Sequence, residues 1–556
     1  LSAMPLDEIR VHHGSARFRG ERATTGLARE VSDYNLVVKR DGVGIVAKLD
    51  FSVPGRKGTQ RIEGRVDTKS GDMRLKVRLD QLPLAPYAAI LPSNVYVHSN
   101  SALHDTQLQV VVNRKDRTIA VDGSAALSHL DVRAPRISRH LLADLNLRGQ
   151  GRLTLDLARE MVRLSKGEAS VGKLTALIDG SVLRYRTAPA FDLHVKVPTV
   201  DCQDVVDSLV PNVAPMLIGM SCHGSASLRL NLGLDTKDMR SLKLEYKPLL
   251  RKVEIDSLGK YIRFDVLQRP FEHHTRQKDG TLYTFVTGPG SERWTTMEAL
   301  TEHMPKVVTT TEDGSFFWHK GFSLNQIRSA FITNLLRGRF VRGASTISQQ
   351  VVKNLFFVEF EKTLARKLQE AVITWQMERT LEKAQILELY FNIIEFGPQI
   401  YGIRAAASHY FNRPPSDLTL LQSIWLGSII PNPKAFYHQF TKGTVKASWQ
   451  KYLCWIGGVM RKREKITDAE RARLGSCHVV FGGGTDGSEK PEDEGLGHDA
   501  AVDANGDPVP GANATGDDKP LPPPKARPPA PDAARRAPPR PSKRKQAPSV
   551  ADDEQP

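Results

Sequence analysis

The segment Met73-Arg74-Leu75-Lys76-Val77-Arg78-Leu79 alternates strictly between apolar and charged residues. Successive side chains of a β-strand point to opposite faces, so this alternation predicts a strand with one apolar and one polar face. The same period recurs at 153–157, 191–197 and 228–232, and Gly, Asp and Asn residues separate such segments. Residues 1–250 are therefore predicted to form an extended antiparallel sheet. The pattern leaves open whether the sheet is only a scaffold or carries lipid along its apolar face.

The composition of the 556-residue chain limits its class. With 40% hydrophobic and 25% charged residues, the chain is able to bury hydrophobic cores, and its length allows about two to four domains. It contains no run of about 18 apolar residues, so no membrane span is expected within this stretch. The net charge of +16 predicts an anionic partner: nucleic acid, an acidic membrane surface or a phosphate-bearing substrate.

The composition changes three times after the predicted sheet. Residues 251–289 form a bridge rich in charged and aromatic residues. From 290 to 470 the apolar period becomes helical, with Leu364, Leu368 and Trp375 on one face. From 480 to 556, 15 of the chain's 34 prolines accompany Gly, Ala and basic residues, which predicts a disordered tail. The fold class predicted from these regions is multidomain α+β.

Two polar motifs open the helical region, at Glu312–Gly321 and Gly343–Asn354. In the first, an acidic pair precedes aromatic residues, and a carboxylate beside apolar rings loses solvation, which raises its pKa toward that of a general base. In the second, Ser345 is predicted to cap a helix whose free N–H groups favour an anion. Gln349 and Lys353 share one face of that helix, which suits a sugar hydroxyl beside a phosphate.

Two further motifs follow, at Arg366–Glu370 and Lys383–Asn392. Arg366 and Lys367 precede Glu370 by four and three residues, a spacing that brings them together on a helix. A solvated salt-bridged helix would show the same spacing. In the last motif, Glu388 and Asn392 share a polar face that is predicted to brace the site, and the remaining residues are typical of core packing.

Taken together and in this order, the four motifs resemble the family 51 glycosyltransferases, the peptidoglycan glycosyltransferases. Within that family, the chain looks most like the monofunctional biosynthetic transglycosylases. The family signature EDxxFxxHxG, GxSTxTQQxxKN, RKxxE and KxxILExYLN is matched at most positions and in the same order, and Ser348 stands where the family has Thr. The small-residue helix that follows is matched from Gly402 to Ala407.

The resemblance implies a mainly α, lysozyme-like domain that polymerises lipid II through β-1,4 bonds with inversion and releases undecaprenyl diphosphate. Glu312 matches the general base and Glu370 the second catalytic carboxylate. The resemblance leaves open a divalent cation, Mg²⁺ or Mn²⁺, beside Glu370. The other positions assigned to substrate binding are Asp313, His319, Ser345, Thr346, Gln349, Gln350, Lys353, Asn354, Lys362, Arg366 and Lys367.

Partners and location follow from the same resemblance. The implied partners are lipid II, the growing glycan strand, the membrane surface and other cell-wall synthesis proteins, and no nucleic acid. The strand-rich region resembles AsmA-like envelope proteins more loosely. Together these resemblances imply the periplasmic face of a bacterial inner membrane, with an anchor expected before Leu1. No transpeptidase is expected, because the chain has no K-T-G motif.

Two other functions fit the same residues. One is a lysozyme-like glycan hydrolase, against which the cationic motifs stand. The other is a non-enzymatic lipid-binding or scaffold protein of the envelope with a degenerate transferase domain, against which the presence of both Glu312 and Glu370 stands. The four cysteines also leave alternatives open. Cys202 and Cys222 are able to bridge a loop in an oxidising compartment or to remain thiols.

Overall fold

The structure, a computed structural model, describes residues 7–18, 29–52, 59–208, 213–277, 279–337, 343–358 and 363–482. The tail predicted from 480 to 556 lies outside these ranges apart from its first three residues, and so does Lys362. Within the described ranges, no helix combines the length and the apolar character needed to cross a membrane.

The strand-rich region forms one large antiparallel sheet in the part of the chain that the structure describes. Neighbours in sequence pair with each other, except that β5 pairs directly with β7 and the short β6 also pairs with β7. The fourteen strands are β1 (Glu8–Phe18), β2 (Arg29–Asp41), β3 (Gly44–Ser52), β4 (Thr59–Asp67), β5 (Met73–Leu79), β6 (Leu82–Pro83), β7 (Val95–Asn113), β8 (Thr118–Val132), β9 (Leu142–Asp156), β10 (Met161–Val171), β11 (Leu174–Leu183), β12 (Ala190–Asp201), β13 (Met220–Asp235) and β14 (Asp238–Leu258).

The alternating sequence pattern locates these strands closely. The predicted strand at 73–79 is β5, whose apolar side chains are half-buried and whose charged side chains are exposed. The segment 153–157 runs one residue past β9, because the Asp156 carboxylate accepts the N–H groups of Ala158 and Arg159 and forms a turn. The sheet itself continues past residue 250, to Leu258 at the end of β14.

The bridge holds a hairpin, and helices dominate the chain after it. The hairpin strands are β15 (Phe271–Arg276) and β16 (Leu282–Thr287), and a small pair, β17 (Glu395–Gly397) and β18 (Ile400–Tyr401), lies among the helices. The helices are α1 (Cys202–Ser208), α2 (His303–Thr311), α3 (Leu324–Arg337), α4 (Ile347–Phe356), α5 (Leu364–Thr380), α6 (Lys383–Ile393), α7 (Ile403–Phe411), α8 (Leu420–Ile429), α9 (Pro433–Thr441), α10 (Ala447–Lys462) and α11 (Asp468–Arg473).

The main hydrophobic core joins the last part of the sheet to the helices. Leu217, Met220 and Leu258 belong to the same buried cluster as Val307 of α2 and Ile347 of α4. A second, small core lies within the sheet region, where Leu84, just after β6, meets residues of β8 and β9: Leu130, Leu142 and Leu145. Burial of apolar area stabilises each core by roughly 25 cal/mol per Å² removed from water.

Two disulfides close loops at the edges of the main core. Cys202 is bonded to Cys222, so the bridged alternative for this pair is confirmed. Cys454 and Cys477 form a second disulfide that the sequence did not predict. It ties the segment after α11 back to α10, and Phe481 then stacks on Phe411 with 6.0 Å between the ring centroids.

Candidate active site

Glu312 occupies the C-cap position directly after α2, and its carboxylate is buried. Its Oε2 accepts a hydrogen bond from Nε2 of Gln350, at 3.0 Å. Among the described residues, no group hydrogen-bonds its Oε1. Burial raises the pKa of Glu312 to about 7, an effect that the bond from Gln350 and the positive charge of Lys353 oppose and the charge of Asp313 reinforces. A carboxyl group with such a pKa is able to accept a proton near neutral pH.

Gln350 is held in one orientation by Tyr390 of α6. The Tyr390 hydroxyl donates to Oε1 of Gln350 at 3.3 Å, which leaves the amide nitrogen of Gln350 to face Glu312. Tyr390 is fully buried, and burial raises its pKa well above its usual value, so the phenol stays a donor. A chain of two hydrogen bonds therefore connects the core to the candidate base.

Replacing Tyr390 by Phe is expected to raise the pKa of Glu312 further. The loss of the phenol frees the Gln350 amide to rotate, and the hydrogen bond that stabilises the ionised carboxylate weakens. The acidic limb of the kcat/KM profile should then move to higher pH by about half a unit. A pH profile measured beside Tyr261→Phe, at an exposed ring, tests this. An unshifted limb in Tyr390→Phe would contradict the role assigned to Tyr390.

Asp313 holds the first motif to the two helices that follow it. Its carboxylate accepts from Nε2 of His319 at 2.9 Å, from Nε2 of Gln326 at 3.1 Å and from the N–H of Ile347 at 3.1 Å. Nδ1 of His319 accepts from the N–H of Gly321, so Nε2 carries the proton. The side chain of Asp313 has no exposed surface. Asp313 therefore supports the site from within, and the substrate contact that the sequence assigned to it stays a prediction.

Thr346, and not Ser345, is the N-cap of α4. Its hydroxyl accepts from the N–H of Gln349 at 3.2 Å and donates to the carbonyl of Gly321 at 2.7 Å. In turn, Oε1 of Gln349 accepts from the N–H of Thr346 at 3.2 Å, which completes a capping box. Both side chains are buried. The Thr346 hydroxyl and Oε1 of Gln349, at two positions assigned to substrate binding, therefore form hydrogen bonds within the protein. Gly321 has φ +89°, and a Cβ there would lie 2.9 Å from Cγ2 of Thr374, so the turn requires glycine.

Ser345 instead connects α4 to the third motif. Its hydroxyl oxygen accepts from Nζ of Lys367 at 2.9 Å. Asn354, also predicted to bind substrate, donates from Nδ2 to the carbonyl of Gln350 at 2.8 Å. The substrate contacts predicted for Gln350, Lys353 and the two cations of the third motif stay predictions. Lys362 lies outside the described residues.

Glu370 is almost completely buried and binds two cations. One carboxylate oxygen accepts from the guanidinium of Arg366 and the other from the ammonium of Lys367. Lys367 keeps 42% of its side-chain surface exposed, whereas Arg366 keeps 16%. The carboxylate therefore organises a positively charged surface that is able to bind a phosphate group.

The surroundings of Glu370 do not fit a divalent cation. Both of its oxygens face positively charged side chains, which would repel a metal ion from the same ligands. Across the described part of the chain, the grouping of His and carboxylate ligands close enough for an ion comprises Glu302, His303 and Glu470, away from these motifs. Arg366 and Lys367, rather than a metal ion, are therefore the cations beside Glu370 that are able to neutralise a bound phosphate group.

The last motif braces the site as predicted. Glu388 accepts from Nε1 of Trp294 at 2.8 Å and from the N–H of Met297 at 2.9 Å. Asn392 accepts from the N–H of Thr295 and donates to its carbonyl, both at 2.8 Å. These four hydrogen bonds attach the segment before α2 to α6, and α2 in turn carries Glu312.

Three supporting residues escaped sequence reasoning. Glu378 of α5 accepts from Lys383 at 2.7 Å and from the hydroxyl of Ser348. Tyr452 of α10 is half-buried; desolvation raises its pKa, and the negative charge of Glu312 adds to that effect. Lys465 donates to Oγ1 of Thr309 in α2 at 2.8 Å. The last two come from a segment that carries no motif, so no local signal marked them.

Comparison with known proteins finds relatives of the region that carries the four motifs. A family model described as Transglycosylase matches residues 279–455. A biosynthetic peptidoglycan transglycosylase of Acinetobacter baylyi is 39% identical over 163 residues, 29% of this chain and 71% of the relative.

The chain belongs to the transglycosylase family. The protein of the same name from Nitrosomonas eutropha is 48% identical over 145 residues, which are 26% of this chain and 59% of the relative. The chain thus spans between about three fifths and seven tenths of these relatives' lengths. The family match begins at residue 279, after the sheet and within the hairpin. It contains all four motifs.

Proposed function

We propose that this protein is a peptidoglycan glycosyltransferase that polymerises lipid II into β-1,4-linked glycan strands. The observation that carries the proposal is the carboxylate of Glu312, buried, with a pKa of about 7 and with Oε1 unpartnered among the described residues. A buried oxygen without a partner is costly unless a ligand group supplies the missing hydrogen bond. The 4-hydroxyl of an acceptor sugar is such a group.

In the proposed reaction, Glu312 accepts the proton of the acceptor hydroxyl. The acceptor oxygen forms a bond to the anomeric carbon of the donor, while the bond from that carbon to the diphosphate oxygen breaks. Attack from the face opposite the leaving group inverts the configuration. The electron pair of the broken bond leaves with the lipid diphosphate, whose charge Arg366 and Lys367 stabilise.

The proposed substrate is bound at a membrane surface on the periplasmic side. Large apolar side chains project from the first motif, from the start of α3 and from α5, which carries the third motif, and Trp318 is 73% exposed. The exposed set comprises Phe317, Trp318, Leu324, Leu364 and Leu368. Two disulfides suit an oxidising compartment such as the periplasm. The membrane anchor, the lysozyme-like arrangement and the AsmA-like character of the sheet stay predictions.

A lipid-binding role of the sheet is a second candidate and is compatible with the first. Its apolar side chains alternate with exposed ones in strands such as β5 and β12, yet most are only half-buried. A sheet face of this kind suits acyl chains. Lipid recovered by extraction from the purified full chain would support this role.

Polymerisation of labelled lipid II by the purified full chain tests the main proposal. We expect glycan ladders on a gel and release of undecaprenyl diphosphate in equal amount to the bonds formed. Shortening of preformed glycan, without release of lipid diphosphate, would indicate the lysozyme-like hydrolase. Neither product from a folded protein in detergent would favour the envelope scaffold with a degenerate transferase domain.

A further inference from the structure

The first turn of α5 is attached to the N-terminal sheet. A helix leaves its first N–H groups without partners inside the helix. In α5, the hydroxyl of Thr363 accepts that of Arg366, and the carbonyl of Thr363 accepts the N–H of Lys367 as the first bond within the helix. The other two reach a different region: Leu364 donates to the carbonyl of Arg136 at 3.2 Å, and Ala365 donates to that of Ile137 at 2.9 Å.

A side chain adds a third connection one turn later. Gln369 is buried, and its Oε1 accepts from the backbone N–H of Met216 at 2.9 Å. Its Nε2 donates to the carbonyl of Ala365 at 3.2 Å, within α5. The amide of Gln369 is therefore fixed at both ends, and it joins α5 to the segment between α1 and β13.

Both attachment points are themselves firmly held. The residues between β8 and β9, 133–141, form a turn in which the carbonyl of Ala134 accepts the N–H groups of Ile137 and Ser138. Ala134 packs on the small core of the sheet. Met216 packs on the main core, and Val213, three residues earlier, packs on the small one. The anchors are thus parts of two hydrophobic cores.

The anchored turns of α5 carry the cationic part of the site. Arg366 and Lys367 follow the two attached residues, Leu364 and Ala365, directly, and Glu370 is adjacent to Gln369. A displacement of α5 by about 1 Å would move both cations relative to Glu312, which lies on another element, and misplacement on that scale is costly in catalysis.

We infer that the β8–β9 turn and the Met216 segment position the phosphate-binding cations for the reaction, and that Gln369 is a positioning residue. This inference rests on the proposed function and extends it, because it gives the sheet a part in the activity of the helical region. The turn between β8 and β9 contributes two backbone carbonyls to the attachment of α5. The segment before β13 contributes one N–H group.

Proline at position 364 removes one of these bonds with little disturbance of the helix. Leu364 is the first residue of α5, where proline is well tolerated, and its side chain is exposed. Thr363 before it has φ −118° and ψ 155°, a conformation that a following proline favours. Leu364→Ala is the matched control, because it shortens the side chain and keeps the N–H group.

In the full chain, we expect kcat/KM for lipid II of Leu364→Pro to be about fivefold lower than that of Leu364→Ala. The acidic limb set by Glu312 should stay in place, because the base lies on another element. Hydrogen exchange of the amides from 365 to 370 should be faster in the proline variant. Equal kcat/KM and equal exchange in the two variants would overturn the inference.

Gln369 provides an independent pair if Leu364→Pro does not fold. Gln369→Leu removes the acceptor for Met216, whereas Gln369→Glu retains it, so we expect the Leu variant to lose several-fold more kcat/KM and exchange protection. Equal loss in both would contradict a positioning role. The exchange measurement also separates this inference from the proposed function: inactive wild-type protein would refute the function, while the exchange data would still decide the attachment.

Discussion

Glu312→Gln is expected to lower the rate of lipid II polymerisation by about a thousandfold, the loss typical of removing a general base. The amide fills the same space and still reaches Gln350, but it does not accept the proton of the acceptor hydroxyl. In the wild type, activity should rise with pH through about 7 and then level off, because only the ionised carboxylate acts as a base. The rates are compared with those of Glu292→Gln, at an exposed carboxylate.

The same substitution should stabilise the fold at high pH. The folded-state pKa of Glu312 is raised from 4.5 to about 7, so the folded protein binds this proton more tightly than the unfolded chain. The free energy of unfolding of the wild type therefore falls as pH rises from 4.5 through 7. Glu312→Gln lacks this titrating group, so at pH 8 its free energy of unfolding should exceed that of the wild type by up to about 3 kcal/mol. Melting curves at pH 5 and pH 8 measure it, and near-wild-type polymerisation by this variant would refute Glu312 as the base.

Glu370→Gln is expected to reduce polymerisation by about a hundredfold. The buried carboxylate holds Arg366 and Lys367 in place, and without its charge both side chains repel each other and leave their positions. We expect kcat/KM to fall across the whole pH range while the acidic limb of its pH profile moves little, because the base is untouched. Kinetics across pH 6–9 separate the two effects.

The same change should also destabilise the fold, by about 2 kcal/mol. This is less than the value of about 3–5 kcal/mol for breaking a fully buried ion pair, because Lys367 remains 42% exposed and partly solvated. Glu292→Gln again serves as the control. A mild loss of activity, below about fivefold, would show that the cations do not depend on Glu370. Recovery of activity on adding Mg²⁺ or Mn²⁺ would contradict our assignment of charge neutralisation to protein cations.

Sequence patterns predicted the strands well, because alternation depends only on neighbouring residues. The segment 73–79 coincides with β5, and α2, the first α-helix after the sheet, begins at His303, within the region predicted to be helical from 290. The short helix α1, inside the region predicted as sheet, was missed. The end of the sheet at Leu258 was less visible, because adjacent apolar residues, Leu249 and Leu250, and adjacent basic residues, Arg251 and Lys252, interrupt the alternation in β14. The second disulfide was missed because Cys454 and Cys477 meet only when α11 folds back on α10.

In the site, motif spacing predicted which side chains meet along one helix better than it predicted contacts between different segments. Glu312 and Glu370 are both buried beside polar partners, as motifs one and three suggested. The cap of α4 is one residue later than predicted, because the hydroxyl of Thr346 meets the Gly321 carbonyl and that of Ser345 meets Lys367. Asp313 was assigned to substrate binding, and its side chain has no exposed surface.

The sequence by itself determined the order of sheet and helices, the family and the two carboxylates, because each of these is encoded in short-range periodicity or in motif spacing. Only the tertiary structure decided which residues support them. Tyr390 reaches Glu312 through Gln350, and the β8–β9 turn reaches α5 across more than two hundred residues of chain. Such contacts depend on how distant segments pack around a shared core, which no local pattern records.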